Sequence, residues 1–291
     1  MRLYLTNSMR IDEALKWAVA LLEGGESPSI DAKVLLANAL NVNQTYLFTW
    51  PDKVLDSQSL HTFQKAVERR RLGEPVAYII GERDFWTLKL ATSPHTLIPR
   101  PDTEVLVEQV LKRIPSDVND QSTSSFSICD LGTGTGAIAL ALASELPRIQ
   151  VTGVDFKAQA VTLAQQNAVN NGIENVTFLQ SDWFSELKAK QFNIIVSNPP
   201  YIEDSSAYLL QGDVTFEPKS ALISGEDGLR DIRHIISVSQ AHLLTGGLLA
   251  FEHGFNQGAA VGELLSKAGF SDIETVKDYG GNDRVTLGRC Y

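Results

Sequence analysis

The sequence predicts an α/β protein: a mainly parallel, seven-stranded sheet covered by helices on both faces, preceded by a small all-helical unit. Two observations predict it. From residue 127 onward, short apolar runs alternate with segments of helical periodicity, the pattern of βαβ units whose right-handed crossovers cover both faces of a sheet. Before residue 75, apolar side chains recur at helical spacing instead. The 291 residues, 43% of them hydrophobic and 21% charged, are enough for one large domain or two smaller ones.

The first helix covers residues 10–23, with Ile11, Leu15, Ala18, Val19 and Leu22 on one face and Gly24-Gly25 as its stop. A second runs over about 30–40, with Asp31 near its positive end, and a short segment follows at 45–48. A third covers about 56–72 and is closed by Gly73 and Pro75. Its last turn carries Arg69-Arg70-Arg71, a cluster that complements the helix dipole. These helices make an N-terminal domain of residues 1–75. The period then changes. Val76 to Ile80, Gly81 and then Phe85 to Leu90 read as a β-hairpin, so residues 76–98 are expected to be a hairpin linker and 99–291 the main domain. A helix opens in Ile98-Pro99-Arg100-Pro101-Asp102-Thr103-Glu104 and reaches about 113. Residues 116–125 are Ser-rich and polar, the composition of a mobile surface loop. Strands are expected at 127–131, 150–155, 175–180, 192–197 and 247–252, with helices near 136–146, 157–171, 228–244 and 257–268. Two last runs, 271–277 and 284–290, fit an antiparallel edge.

Charge bears on partners. The net charge is −10, and residues 1–75 are neutral, with nine basic and nine acidic residues. The remaining chain, with 16 basic and 26 acidic residues, carries the whole imbalance. No basic face of the kind that neutralises duplex DNA is visible, so direct duplex DNA binding is not expected. The chain begins without an apolar run long enough for a signal peptide, and no later run could span a bilayer, so a cytoplasmic protein without a membrane partner is expected. The two cysteines, Cys129 and Cys290, lack metal-ligand spacing and read as reduced thiols; none of the five histidines suggests a metal. A monomer is expected.

Four strand ends carry the chemistry. The first is followed by Gly132-Thr133-Gly134-Thr135-Gly136, where glycines permit a tight turn and close approach of a ligand to the backbone. The second ends at Asp155, a carboxylate placed for a ribose diol, a spacing that fits adenosine cofactors generally and leaves NAD and S-adenosylmethionine both open. The third ends in Asp182-Trp183, an acceptor for an adenine amino group and a ring to cover it; a tryptophan standing alone is more often core packing, but as the third strand end in register with Gly132–Gly136 and Asp155 it reads as cofactor-lining. The fourth ends in Asn198-Pro199-Pro200-Tyr201. Each proline fixes its own φ and pushes the preceding residue toward an extended conformation, so Asn198 is held stiffly just past a strand's carboxyl end, where open α/β sheets bind ligands. The Asn198 side-chain oxygen and the Pro199 carbonyl can converge on one NH2 group, with Tyr201 flat against the plane that carries it. Arg100 and Thr103 either approach a cofactor or pack structurally, and Glu217 is open in the same way; His253 reads as structural.

Together these motifs resemble the PrmC/HemK family of S-adenosylmethionine-dependent protein glutamine methyltransferases, which N5-methylate a glutamine in peptide chain release factors. The resemblance runs over essentially the whole chain. It includes the stretch from Ile98 to Glu104, Asp130-Leu131-Gly132-Thr133-Gly134-Thr135-Gly136 and Asn198-Pro199-Pro200-Tyr201-Ile202. It continues through Phe216-Glu217-Pro218-Lys219-Ser220-Ala221-Leu222, Gly225-Glu226-Asp227-Gly228-Leu229, Phe251-Glu252-His253-Gly254 and Arg284-Val285-Thr286-Leu287-Gly288. The Asn-Pro-Pro-Tyr motif alone is shared with adenine-N6 DNA methyltransferases, so the flanking motifs carry the distinction.

The resemblance implies a Rossmann-like S-adenosylmethionine-dependent methyltransferase fold, with 1–75 as a helical substrate-recognition domain that grips the release factor. It implies that Gly132, Thr133, Gly134, Thr135, Gly136, Asp155, Asp182, Trp183 and Asn198 bind the cofactor. Asn198, Pro199, Pro200 and Tyr201 would hold the substrate glutamine, that of the Gly-Gly-Gln motif, with Asn198, Pro199 and Tyr201 catalytic. Adenine in DNA, flipped into the same pocket, is the alternative acceptor. A nucleotide-dependent oxidoreductase is a further alternative, but hydride transfer has no use for an amide-nitrogen clamp.

Overall fold

The computed structural model of the protein describes residues 8–115, 118 and 126–291. The chain divides into two compact units, Met1–Gly81 with Gln211–Phe216, and Glu82–Leu210 with Glu217–Tyr291. The loop read from sequence at 116–125 lies outside the described residues, apart from Val118.

In the first unit, helices α1 (Ile11–Leu21), α2 (Pro28–Leu40), α3 (Gln44–Thr49), α4 (Ser57–Arg71) and α5 (Val76–Ile80) enclose a core that includes Ile11, Leu35, Leu36, Phe63 and Val67. Asp56 starts α4 by accepting from the backbone N–H groups of Gln58 and Ser59 at 3.0 and 2.9 Å, which satisfies two donors that the helix cannot pair internally. The arginine cluster is fully committed to ion pairs. Arg69 pairs with Glu74, Arg71 with Glu68, and Arg70 bridges Asp31 and Asp213, both at 2.6 Å. Arg70 and Asp31 are nearly buried, so their charges are tolerable only as a pair.

One expectation is corrected here. The run Val76–Ile80 is a helix, not the first arm of a hairpin. Val76, Ile79 and Ile80 pack on the helical core, and their i, i+3, i+4 spacing puts them on one face. Tertiary burial overrides the β-branched propensity of the run. Gly81, at φ +82°, ends it. The hairpin itself is shorter: β1 (Glu82–Phe85) pairs with β2 (Leu88–Ala91) across a turn at Trp86 and Thr87.

The second unit carries helices α6 (Glu104–Leu111), α7 (Ala137–Glu145), α8 (Ala158–Asn170), α9 (Arg230–Ser239) and α10 (Gly258–Lys267). Its strands are β3 (Ser127–Leu131), β4 (Gln150–Asp155), β5 (Val176–Gln180), β6 (Phe192–Ser197), β7 (Leu243–Glu252), β8 (Ser271–Lys277) and β9 (Asp283–Arg289). They form a seven-stranded sheet in the order β5-β4-β3-β6-β7-β9-β8, parallel except at β9, which is antiparallel to both neighbours. Strand β7 starts earlier than the sequence indicated, because the helix expected up to 244 ends in a 3-10 turn at Gln240–His242.

The chain winds outward from β3 to β5 and then returns to the other side of β3, so the strand order reverses between β3 and β6. Open α/β sheets bind ligands at such a switch point. Two hydrophobic layers sandwich the sheet, one built on α7 and α6, the other on α9 and α10. Helix α7 is buried from Ala137 to Ala143 and therefore reads as a continuous apolar run. Within β4, Gly153 leaves space for Phe178: a Cβ there would sit 2.6 Å from the ring and 2.8 Å from Thr133 Oγ1. Gly153→Ala is therefore expected to cost about 2 kcal/mol through overpacking. In thermal unfolding this reads as a fall of several degrees, and an unchanged midpoint would contradict the packing described.

Candidate active site

The site is built where β3, β4, β5 and β6 end. Leu131 is aligned with Val154 on one side and Ser197 on the other, and Asp155 with Gln180, so the four following loops leave the sheet at one level. The Ser197 hydroxyl donates to the Leu131 carbonyl at 2.7 Å and ties two of these ends together.

The glycine loop turns tightly after β3. The N–H groups of Gly132 and Thr133 donate to the Val154 carbonyl at 2.9 and 2.8 Å. Gly132 and Gly134 have φ of +73° and +56°, a region that costs other residues energy. Beyond its own chain neighbours, no atom of the described residues lies within 4 Å of where a Gly134 side chain would start, so that stretch of backbone is open. Asp155 is locked onto the same loop: Oδ2 accepts from the Gly134 N–H and Oδ1 from the Lys157 N–H, both at 2.9 Å. Burial pushes its pKa above the ordinary carboxylate range, and these two bonds oppose that shift. Asn167, fully buried on α8, braces the loop from behind by donating to the Thr135 carbonyl at 2.9 Å while pairing with Ala91 of β2.

Beyond β5, Trp183 adopts φ +48°, unusual for a bulky residue, and its carbonyl accepts from the Ser181 hydroxyl at 2.7 Å. Its ring lies beside Gly132, 3.5 Å from where a Cβ there would be. Beyond β6, the Asn198 Nδ2 donates to Thr103 Oγ1 at 3.2 Å. The side-chain oxygen of Asn198 is then the group left to accept from a ligand.

These loops surround a cavity of about 400 Å³, within the range of small-molecule sites. Of the residues singled out from the sequence, Gly132, Thr133, Gly134, Thr135, Asp155, Asp182, Trp183, Asn198 and Pro200 line it. Gly136, Pro199 and Tyr201 do not. Gly136 is a packing glycine at the start of α7, where a Cβ would lie 3.1 Å from Ala164, Leu140 and Phe178. Tyr201 is tethered at both ends: its hydroxyl donates to Glu252 Oε1 at 3.2 Å and its carbonyl accepts from Gln257 at 3.0 Å. These two bonds anchor the loop that carries the ring. Burial and the neighbouring Glu252 hold its hydroxyl protonated far beyond the usual range.

Arg100 and Thr103, left open by the sequence, both line the cavity. Buried Glu217 lies beneath, pairing with Arg100 and accepting from the Ile98 N–H. Sequence reasoning missed Phe156 and Lys157, which also line it. Phe156 is 68% exposed directly after Asp155, and an apolar side chain left in the open at a strand's carboxyl end was the available signal. His253 is structural, as read, with Nε2 2.7 Å from Thr286 Oγ1.

A glycine loop, an acidic strand end and an Asn-Pro-Pro loop around one cavity at the switch point of this sheet define a Rossmann-like methyltransferase. Residues 103–221 match the family described as methyltransferase small domain, and residues 13–81 match the PrmC N-terminal domain. A methyltransferase from Pyrococcus furiosus shares the fold, with a TM-score of 0.52 at 19% identity over 69% of this chain and 88% of that one. The chain is 52% identical over 285 residues to the release factor glutamine methyltransferase of Vibrio cholerae, covering 97% of each. It is 48% identical over 283 residues to that of Escherichia coli, covering 97% of this chain and 100% of the relative. The chain belongs to the release factor glutamine methyltransferase family.

Asp130, beneath the glycine loop, accepts from the Thr133 hydroxyl at 2.6 Å and the Ala139 N–H at 3.3 Å, while its Oδ1 has no hydrogen-bond partner among the described residues. Burial raises its pKa to about 7. In the unfolded chain it ionises near pH 4, so between pH 4 and 7 the folded state holds the extra proton and loses stability as pH rises. Asp130→Asn removes that loss. The unfolding free energy of the variant relative to the native chain should therefore rise by about 2–3 kcal/mol from pH 5 to pH 8. A difference independent of pH would contradict the buried, uncharged state of Asp130.

Proposed function

We propose that this protein transfers the methyl group of S-adenosylmethionine to the side-chain amide nitrogen of a glutamine in peptide chain release factors, that of their Gly-Gly-Gln motif, in the cytoplasm. The observation that carries this reading is the orientation of Asn198. Its NH2 donates one hydrogen bond to Thr103, which turns its acceptor oxygen, suited to a substrate NH2, toward the remaining space beside a cavity fitted for an adenosine.

The residues present fit that cofactor. Asp155, locked by two backbone N–H groups, retains lone pairs for ribose hydroxyls. Trp183 and Phe156 would flank an adenine, Asp182 would accept from its amino group, and the open backbone at Gly134 allows close approach. The bound cofactor supplies an electrophilic methyl on a sulfonium centre.

The chain's own residues act on the nucleophile. An amide nitrogen is poorly nucleophilic because its lone pair is delocalised into the carbonyl. Its N–H groups become stronger donors as that nitrogen gains positive charge, so a hydrogen bond to the Asn198 oxygen strengthens toward the transition state. Pro199 and Pro200 keep the loop stiff, and Tyr201 pins it to Glu252, so Asn198 is positioned before substrate arrives. Thr103, Arg100 and Pro200 complete the wall on that side. No activated base is required, because the nitrogen is acidic once it carries the methyl and its proton leaves afterwards.

The helical unit is proposed to recognise the release factor. Its exposed Phe48 and Trp50 provide apolar surface for a protein partner. The net charge of −10 favours a protein acceptor over a nucleic acid. The test supplies methyl-labelled S-adenosylmethionine with purified release factor and an equal mass of duplex DNA, and locates the label by mass spectrometry. One methyl on one release-factor glutamine is expected. Label on adenine with none on glutamine would overturn the reading.

A further inference from the structure

Three loops of the second unit meet at the Tyr201 carbonyl. Phe251 on β7 is aligned with Ser197 on β6, so the Asn-Pro-Pro loop and the loop that ends at Gln257 leave the sheet side by side. The third is the corner Asp227-Gly228, just ahead of α9. Gln257 is nearly buried, does not line the cavity, and joins all three. Its Nε2 donates to the Tyr201 carbonyl at 3.0 Å and to the Asp227 carbonyl at 3.4 Å, while its Oε1 accepts from the Gly254 N–H at 2.8 Å. Two carbonyls at the nitrogen and an N–H at the oxygen fix which way the amide faces. Its backbone is rigid as well, because its carbonyl accepts from the Val261 N–H at 2.9 Å at the start of α10.

Gly228 encloses the same point. A Cβ there would lie 2.2 Å from the Tyr201 oxygen and 2.8 Å from Gln257 Nε2, and the residue has φ +70°. Only a glycine lets this corner close over the bond. The corner is held in turn, since Asp227 Oδ1 accepts from the Leu229 N–H at 3.1 Å and from Arg233 at 3.0 Å. What happens at the Tyr201 carbonyl reaches Asn198, because the two prolines between them have fixed φ and leave few torsions to absorb a displacement.

We infer that Gln257 is a positioning residue for methyl transfer: by holding the Tyr201 carbonyl it fixes the stiff loop that carries Asn198, and with it the place of the acceptor oxygen. This inference rests on the acceptor role given to Asn198 under the proposed function.

Gln257→Glu is the test, because it keeps the volume and the acceptor for Gly254 while removing both donated bonds. With release factor as substrate, kcat should fall about 10- to 100-fold, approaching the cost of an ångström's misplacement. KM for S-adenosylmethionine should hardly move, because Gln257 does not line the cavity. Amide hydrogen exchange gives a second readout that needs no substrate. The Ile202 and Asp204 N–H groups donate to the carbonyls of Leu222 and Gly225 at 2.8 and 3.0 Å. They should exchange faster in the variant, while the amides of β3 and β4 keep their native rates. A folded Gln257→Glu enzyme with native kcat, a loss that lies in KM for S-adenosylmethionine instead of kcat, or unchanged exchange at Ile202 would overturn the inference. If Gln257→Glu does not fold, Gln257→Met, which buries no charge, takes its place with the same outcomes. Should the native protein leave release-factor glutamine unmethylated, it is the proposed function that fails, and the exchange rates still decide whether Gln257 holds the loop.

Discussion

The site depends on the register of three parallel strands. Because Leu131 is aligned with both Val154 and Ser197, the glycine loop, Asp155 and the Asn-Pro-Pro loop leave the sheet at the same height and face one space. A shift of one residue in either pairing would send alternate side chains to the opposite face and separate the carboxylate from the amide. The register is held by the apolar layers on both faces and reinforced at the site itself, where the Val154 carbonyl takes two N–H groups from the glycine loop and the Leu131 carbonyl takes the Ser197 hydroxyl.

On that platform the site is stiffened from below. Polar groups that never reach the cavity fix those that do: Asn167 holds the Thr135 carbonyl, Asp130 holds Thr133 and Glu217 holds Arg100, while Glu252 holds Tyr201 and with it the loop that carries Asn198. Each bond lies largely out of water, where a satisfied polar group is rigid and an unsatisfied one is costly. The unpartnered oxygens of Asp130 and Glu252 stand out against this background, and both carboxyls are pushed toward the neutral form by burial. They differ in surroundings, since Arg284 counters the burial at Glu252 while the charge of Asp155 adds to it at Asp130.

The seven strands, their alternation with helices and nine of the twelve residues singled out at the cavity were legible in the sequence, because apolar runs ending in Gly, Asp or Asn-Pro-Pro mark strand ends directly. What escaped was decided by tertiary packing. Val76–Ile80 has strand-forming residues at helical spacing, and the helical core chose the helix. The tether of the Tyr201 hydroxyl was not readable, because its partner Glu252 lies more than fifty positions further on in the chain. The close packing around Gly136 was not readable either, because a glycine needed for close packing and one needed for a ligand are the same letter.

The central claim is that Asn198 acts on the acceptor nitrogen rather than holding the cofactor. Its most direct test compares calorimetric binding of S-adenosylmethionine with turnover on release factor in Asn198→Ala. The account predicts affinity within a few-fold of native and turnover lower by about 10²–10³, the scale set by loss of one transition-state hydrogen bond. Turnover close to native, or a loss of binding as large as the loss of rate, would contradict it.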